Sequence, residues 1–209
     1  MSDVAITLYG TPLSGHCHRV ELLLLALGLP YQYVEAPAAL RRSAEFRALN
    51  PLQQVPVLRD GELVLADSNA ILVYLAKRYD SAGRWLPEEP VAAARVQRWL
   101  SVAAGEVMYG PATARMALLW GMPGDPKRAK EIGERLLRFM DEHFAAGAYL
   151  AADHATIADL ACYSYVAHAP EGAIPLDAYP NVRSWLARVE GLAFFKPMPR
   201  SPLPAAAVA

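Results

Sequence analysis

The chain has 209 residues, 54% of them hydrophobic, enough for one large domain or two small ones with a real core. Twenty Lys and Arg nearly balance twenty-one Asp and Glu, and no block of like charge stands out, which argues against nucleic acid and anionic membrane as partners. Cys17 and Cys162 are far apart and outside any Cys-x-x-Cys pair, a pattern of reduced thiols in a cytosolic protein and not of a disulfide scaffold. No basic stretch precedes an apolar run at Met1–Ala5, and Leu22–Leu27 is too short to cross a bilayer, so neither a signal peptide nor a membrane span is expected.

The first element is an apolar strand, Ala5–Tyr9. Thr11-Pro12 then turns the chain into a helix that opens near Ser14 and stops at Gly28-Leu29-Pro30. A serine at a helix start caps it, because its oxygen accepts a first-turn N–H. The same spot, with unpaired N–H groups and the positive dipole end, also suits an anion. Tyr31–Val34 reads as a second strand, and 38–49 as an irregular helix ending at Asn50-Pro51. Asp60-Gly61 between apolar runs predicts an antiparallel hairpin pairing 55–58 with 62–65. Pro56 cannot donate to a ladder and belongs at the strand entrance, where cis X-Pro bonds are found. Asp67-Ser68-Asn69 caps an amphipathic helix over 70–79. That order of elements suits a mixed sheet with helices on its faces.

Residues 81–90, with Gly83, Pro87 and Pro90, have the composition of a linker, and beyond them the chain is helical. Ala92, Val96, Trp99, Leu100, Ala103 and Val107 form a stripe at helical spacing. Gly110-Pro111 should kink or break that helix before 112–120 continues it. After the loop at 121–126, residues 127–144 form an amphipathic helix with Glu131–Arg135 and Glu134–Arg138 spaced for pairing. Thr156-Ile-Ala-Asp159 is a capping box with Asp in place of Glu, opening a nearly apolar helix expected to be buried. A last amphipathic helix spans 181–189, and the Pro- and Ala-rich tail 197–209 is expected to fray or lie over the surface.

Leu8-Tyr9-x-x-x-x-Ser14, Asn50-Pro-Leu-Gln-Gln-Val-Pro-Val-Leu58, Asp67-Ser68-Asn-Ala-Ile71 and Thr156-x-x-Asp159 occur in one order and at one spacing. With them the chain resembles, over about residues 4–196, the bacterial, serine-type (theta- or phi-like) members of the cytosolic glutathione transferase family. The resemblance implies an α/β thioredoxin-like N-terminal domain with a mixed four-stranded sheet at 1–80, a linker at 81–90 and an all-α C-terminal domain at 91–209. It implies glutathione as co-substrate, an apolar electrophile as second substrate, and a homodimer.

By the same resemblance Ser14 is the catalytic residue, supporting the glutathione thiolate. A thiol of pKa about 8.5 is only about 3% ionised at pH 7, and lowering it by two units needs about 2.7 kcal/mol. A hydrogen bond to a charged group supplies roughly 1.5–3 kcal/mol and a helix N-terminus roughly 0.3–1, so no general base is required. Val55, before a cis Pro56, is implied to pair strand-like with the cysteinyl backbone. Ser68 and Asp67 meet the γ-glutamyl carboxylate and amine, with Asp standing where Glu is commoner. Arg41 or Arg42, with Gln54, meets the glycyl carboxylate. Met108, Tyr109, Ala112, Arg115 and Met116 surround the Gly-Pro break and are candidates for the substrate pocket.

Four neighbours carry less. Tyr9 reads as strand core and Cys17 as a small packed residue, since thiol-bearing relatives keep their cysteine at the Ser14 position. His16 and His18 flank Cys17, but adjacent helix positions do not face one another, so no metal site is expected. Glutathione-dependent disulfide or peroxide reduction, dehalogenation, or non-catalytic ligand binding on the same fold are the alternative functions.

Overall fold

The computed structural model describes residues 6–201. Four strands, β1 (Ile6–Gly10), β2 (Tyr31–Glu35), β3 (Val57–Asp60) and β4 (Leu63–Ala66), form one sheet in the order β2-β1-β3-β4. β1 runs parallel to β2 and antiparallel to β3, and β3–β4 is the expected hairpin. Its turn lies one residue later than expected: Asp60 pairs with Leu63, leaving Gly61-Glu62 as the two-residue loop with Gly61 at φ 57°. Ala5, where the first strand was expected to begin, lies outside the described residues. Helices α1 (Gly15–Ala26), α2 (Ala38–Arg41), α3 (Ala44–Leu49) and α4 (Ser68–Tyr79) complete this lobe. The irregular helix expected over 38–49 is two short ones, because Ser43 caps a new helix by accepting the Phe46 N–H at 3.2 Å.

The remainder is helical: α5 (Pro90–Val102), α6 (Thr113–Trp120), α7 (Pro126–Phe144), α8 (Ile157–Ala167) and α9 (Pro180–Glu190), with a 3-10 turn at Ala169–Gly172. Gly110-Pro111 does not break the chain of helices. Residues Ala103–Ala112 form a π-helical run that joins α5 to α6 without interruption. Wider turns accommodate the proline's missing N–H, and Thr113 Oγ1 donates to Met108 O at 2.8 Å. Gly110 is needed there for another reason, since a Cβ would stand 2.8 Å from the Gly133 backbone on α7. On α7 the closed pair is Lys130–Glu134 at 3.9 Å, not either of the two read from spacing.

α8 is buried along nearly its whole length, as its composition requires. Its capping box closes, and Asp159 also accepts from Leu150 N–H and Trp185 Nε1, both at 3.0 Å. One continuous core runs through both lobes, and α1 packs directly against α8. Gly15 makes that contact possible: a Cβ there would meet the Tyr165 ring at 2.9 Å. The segment 81–90 is held down, with Trp85 buried, its N–H on Asp80 Oδ2 at 2.6 Å and its carbonyl accepting Ile157 N–H. The part of the tail within the described residues is also fixed. Met198 is buried, Lys196 Nζ donates to Glu21 Oε1 at 2.7 Å, and Ser201 N–H donates to Glu171 Oε1 at 3.2 Å. Residues 202–209 lie outside the described residues.

Candidate active site

Strand register brings three distant segments to one edge of the sheet. Val57 pairs with Tyr9 on one side and Ala66 on the other. The loop leading to Ser14, the Val55-Pro56 entrance to β3 and the Asp67-Ser68 start of α4 therefore share that edge. Ser14 is the N-cap of α1, extended at φ −93° and ψ 115°, and its Oγ accepts the Cys17 N–H at 3.3 Å. The Val55-Pro56 bond is cis, and Val55 stands outside the ladder that begins at Val57. Gln53 at φ 56° and Asp67 at φ 74° are non-glycine residues in the left-handed region, both at this edge. Such backbone conformations cost of order 1–3 kcal/mol and concentrate at functional sites.

Asp67 and Ser68 divide the α4 terminus between them. Asp67 is exposed, and its Oδ1 accepts the N–H groups of Asn69 and Ala70, both at 2.9 Å. Ser68 is buried; its Oγ accepts from Arg19 Nη1 at 3.3 Å and lies 3.3 Å from His16 Nδ1. Arg19 Nη1 also donates to Asn69 Oδ1 at 3.0 Å, and Asn69 Nδ2 donates to Leu100 O on α5. His16 packs its ring edge-on to Tyr165, 5.0 Å between centroids. Burial first, and the Arg19 charge second, hold the His16 imidazole down to about 3, so it is neutral at pH 7.

The two arginines before the site differ. Arg42 is exposed, and its carbonyl accepts from Arg47. Arg41 is half-buried, its Nε has no partner, and its charge reaches Cys17. Gln54 is exposed. Tyr9 packs edge-on against Phe46, consistent with strand core. Burial pushes the Cys17 thiol up, and Cys162 likewise to about 12, so neither is a ready thiolate. His18 turns away from His16: its ring nitrogens meet Ser164 Oγ at 2.8 Å and Lys196 O at 2.7 Å. A carbonyl only accepts, so the proton sits on Nε2; burial lowers the His18 pKa, leaving Nδ1 to accept from Ser164. Among the described residues no group of three His, Cys, Asp or Glu is arranged to hold a metal ion.

The expected substrate pocket needs correction. Ala112 is fully buried and Arg115 is 1% exposed, so neither lines an open pocket. The continuous helix turns both inward, and Arg115 lies against the 3-10 turn. Arg115 Nε donates to Glu171 Oε2 at 2.6 Å and its Nη1 to Leu13 O at 2.9 Å, the carbonyl just before Ser14. Met108 and Met116 are half-buried and Tyr109 is exposed. A cavity of about 460 Å³ lies instead at the β2 side of the β1–α1 loop, beneath the tail, with Tyr31, Tyr33, Glu21 and Met198 in its wall. Nothing in the sequence spacing announces Arg115 as a contact of the Ser14 loop, because that contact joins residues over a hundred positions apart.

Comparison with known proteins decides the family. Residues 8–85 match the family model for the glutathione S-transferase N-terminal domain, and 123–193 that for the C-terminal domain. The chain belongs to the glutathione S-transferase family. It is 32% identical to glutathione S-transferase 3 of Zea mays, covering 95% of this chain and 96% of that one. A glutathione S-transferase structure from Pseudomonas fluorescens superimposes with a TM-score of 0.86 at 31% identity, covering 93% of this chain and 98% of the other. A theta class glutathione S-transferase from Xanthomonas axonopodis with glutathione bound gives 0.80 at 28% identity, covering 91% and 94%. In this glutathione S-transferase family member no helix among the described residues is long and apolar enough to cross a membrane.

Proposed function

We propose that the protein binds glutathione along the sheet edge, holds it as thiolate at Ser14 and transfers it to an apolar electrophile. The observation that carries this reading is the convergence of the Ser14 cap, the cis Val55-Pro56 bond and the Asp67-Ser68 terminus on one edge. Ser14 Oγ, now on the Cys17 N–H, serves as the thiolate's hydrogen-bond donor when glutathione is bound, and the α1 dipole adds to it. Val55 offers its N–H and C=O to the cysteinyl backbone. The γ-glutamyl carboxylate docks on Ser68 and the α4 N-terminus, and the amine faces Asp67. Arg41, half-buried with an unpartnered Nε, suits the glycyl carboxylate better than exposed Arg42. Gln54 stands at the rim. Met108, Tyr109 and Met116 are the members of the expected pocket accessible to an electrophile.

Ser14→Ala, assayed with a chloronitrobenzene-type acceptor, tests the reading. Activity at pH 6.5 should fall about ten- to a hundredfold and the pH of thiol ionisation should rise by one to two units, the loss of one charged hydrogen bond. Unchanged activity and unchanged ionisation would remove Ser14 from the mechanism. Parallel assays with disulfide, hydroperoxide and alkyl halide acceptors measure the alternative chemistries. The buried, high-pKa Cys17 argues against a cysteine-based disulfide reductase. Glutathione binding without turnover of any acceptor would support a binding role. The family resemblance also implies a homodimer, and Leu52, Leu63, Val64 and Val91 are exposed apolar residues for such a contact.

A further inference from the structure

Arg19 carries a full charge into the core with few partners. It is 1% exposed, and both of its hydrogen bonds, to Ser68 Oγ and Asn69 Oδ1, come from Nη1. Nε and Nη2 are buried without a partner. Among the described residues no carboxylate forms an ion pair with it, whereas buried Arg115 is paired with Glu171 at 2.6 Å and Lys196 with Glu21 at 2.7 Å. The surrounding groups do not supply the missing charge. His16 and Cys17 on its own helix, and Tyr165 and Cys162 on α8, are neutral at pH 7. Asp67 is near enough to be felt, but its carboxylate faces solvent and is engaged with the Asn69 and Ala70 N–H groups. An unpaired buried cation destabilises a fold, and arginine does not escape by losing its proton.

Both contacts of Arg19 are the first residues of α4. With Nη1 donating into Ser68 Oγ, the hydroxyl proton is free to turn to His16 Nδ1 or outward to an anion. We propose that Arg19 is a positioning residue for the γ-glutamyl end of glutathione: a cation placed beneath Ser68 whose charge is balanced by the docked α-carboxylate. The proposal rests on the reading that this carboxylate sits at Ser68 and the α4 terminus. The guanidinium never touches the ligand; it acts through Ser68, Asn69 and its field, which a low-dielectric surround leaves largely unscreened.

A ligand cycle tests this. Glutathione and γ-aminobutyryl-cysteinyl-glycine, which differs only in lacking the α-carboxylate, are titrated calorimetrically into wild type, Arg19→Met and Arg19→Lys. Arg19→Met should lose about tenfold in affinity for glutathione and almost nothing for the analogue, as expected for a charge interaction of several ångströms through protein. Arg19→Lys, which keeps the charge, should keep most of the wild-type preference for the carboxylate. In turnover, Arg19→Met should raise KM for glutathione while kcat and the pH of thiol ionisation stay near wild type. The empty Arg19→Met protein should melt no lower than wild type, because it has lost a cation without a partner. Equal weakening of both peptides, no weakening of either, or an Arg19→Met chain that melts well below wild type or does not fold overturns the proposal. A folded wild type that binds neither peptide is a different result, and it overturns the glutathione reading itself.

Discussion

At the scale of single residues, His16 shows how one position is set by its surroundings. Its sequence neighbours are Ser14, Cys17 and His18; in the fold it lies against Tyr165 and Ser68, close to the buried Arg19. Its folded pKa of about 3 lies well below the unfolded value near 6.5, so between those values the unfolded chain binds the extra proton. Stability is therefore full above about pH 6.5 and falls as the pH drops toward about 3. Replacing His16 by Gln should flatten the loss of unfolding free energy between pH 7 and pH 5 by as much as about 1.4 kcal/mol per pH unit, measured by urea denaturation. The partly exposed ring makes that an upper value. His18 and His168, both lowered chiefly by burial, keep a residual acid sensitivity in the variant.

At the scale of elements, the π-helical run and the 3-10 turn matter through one buried cluster. Burial alone would raise the Glu171 carboxyl, but hydrogen bonds from Arg115 and His168 and the Arg115 charge hold it below its usual value. His168, kept low by burial, is neutral and donates from Nδ1 at 2.7 Å. Glu171 also takes the Ser201 N–H, and Arg115 reaches Leu13 O, so α6, the 3-10 turn, the tail and the Ser14 loop meet at one ion pair. Arg115→Met leaves Glu171 buried and unpaired and should cost about 3–5 kcal/mol in urea unfolding. The double change Arg115→Met with Glu171→Leu should recover part of that stability but not the anchoring of Leu13, so its kcat should stay depressed. Full recovery of kcat in the double variant would mean that the Leu13 contact is structural alone.

At the scale of the whole molecule, the two lobes share one core, and the tail crosses from the helical lobe to α1 and β2. Leu52 and Val91 are exposed among the described residues, unlike the buried stripe of α5. Changing both to Asp should convert the proposed dimer to monomers in sedimentation equilibrium at micromolar concentration with little loss in far-ultraviolet circular dichroism. A wild type that sediments as a monomer would remove the homodimer from the functional reading.

Local chemistry was legible before the fold. The Ser14 and Asp67 caps, the Thr156–Asp159 capping box and the hairpin rest on groups within a few residues of each other, so spacing carries them, whereas the cis Val55-Pro56 bond was read from the family resemblance. The residues proposed for glutathione were reached through the ordered motifs of a family, since Ser14, Val55 and Ser68 have no local sign of meeting. What only the tertiary structure decided involves long-range partners: Arg19 under Ser68, Arg115 against Leu13, the continuous helix through Pro111, and the tail fixed by Glu21 and Glu171. The physical reason is that the worth of a buried charge depends on whether a counter-charge is packed beside it, and strand register and helix packing determine which side chains meet.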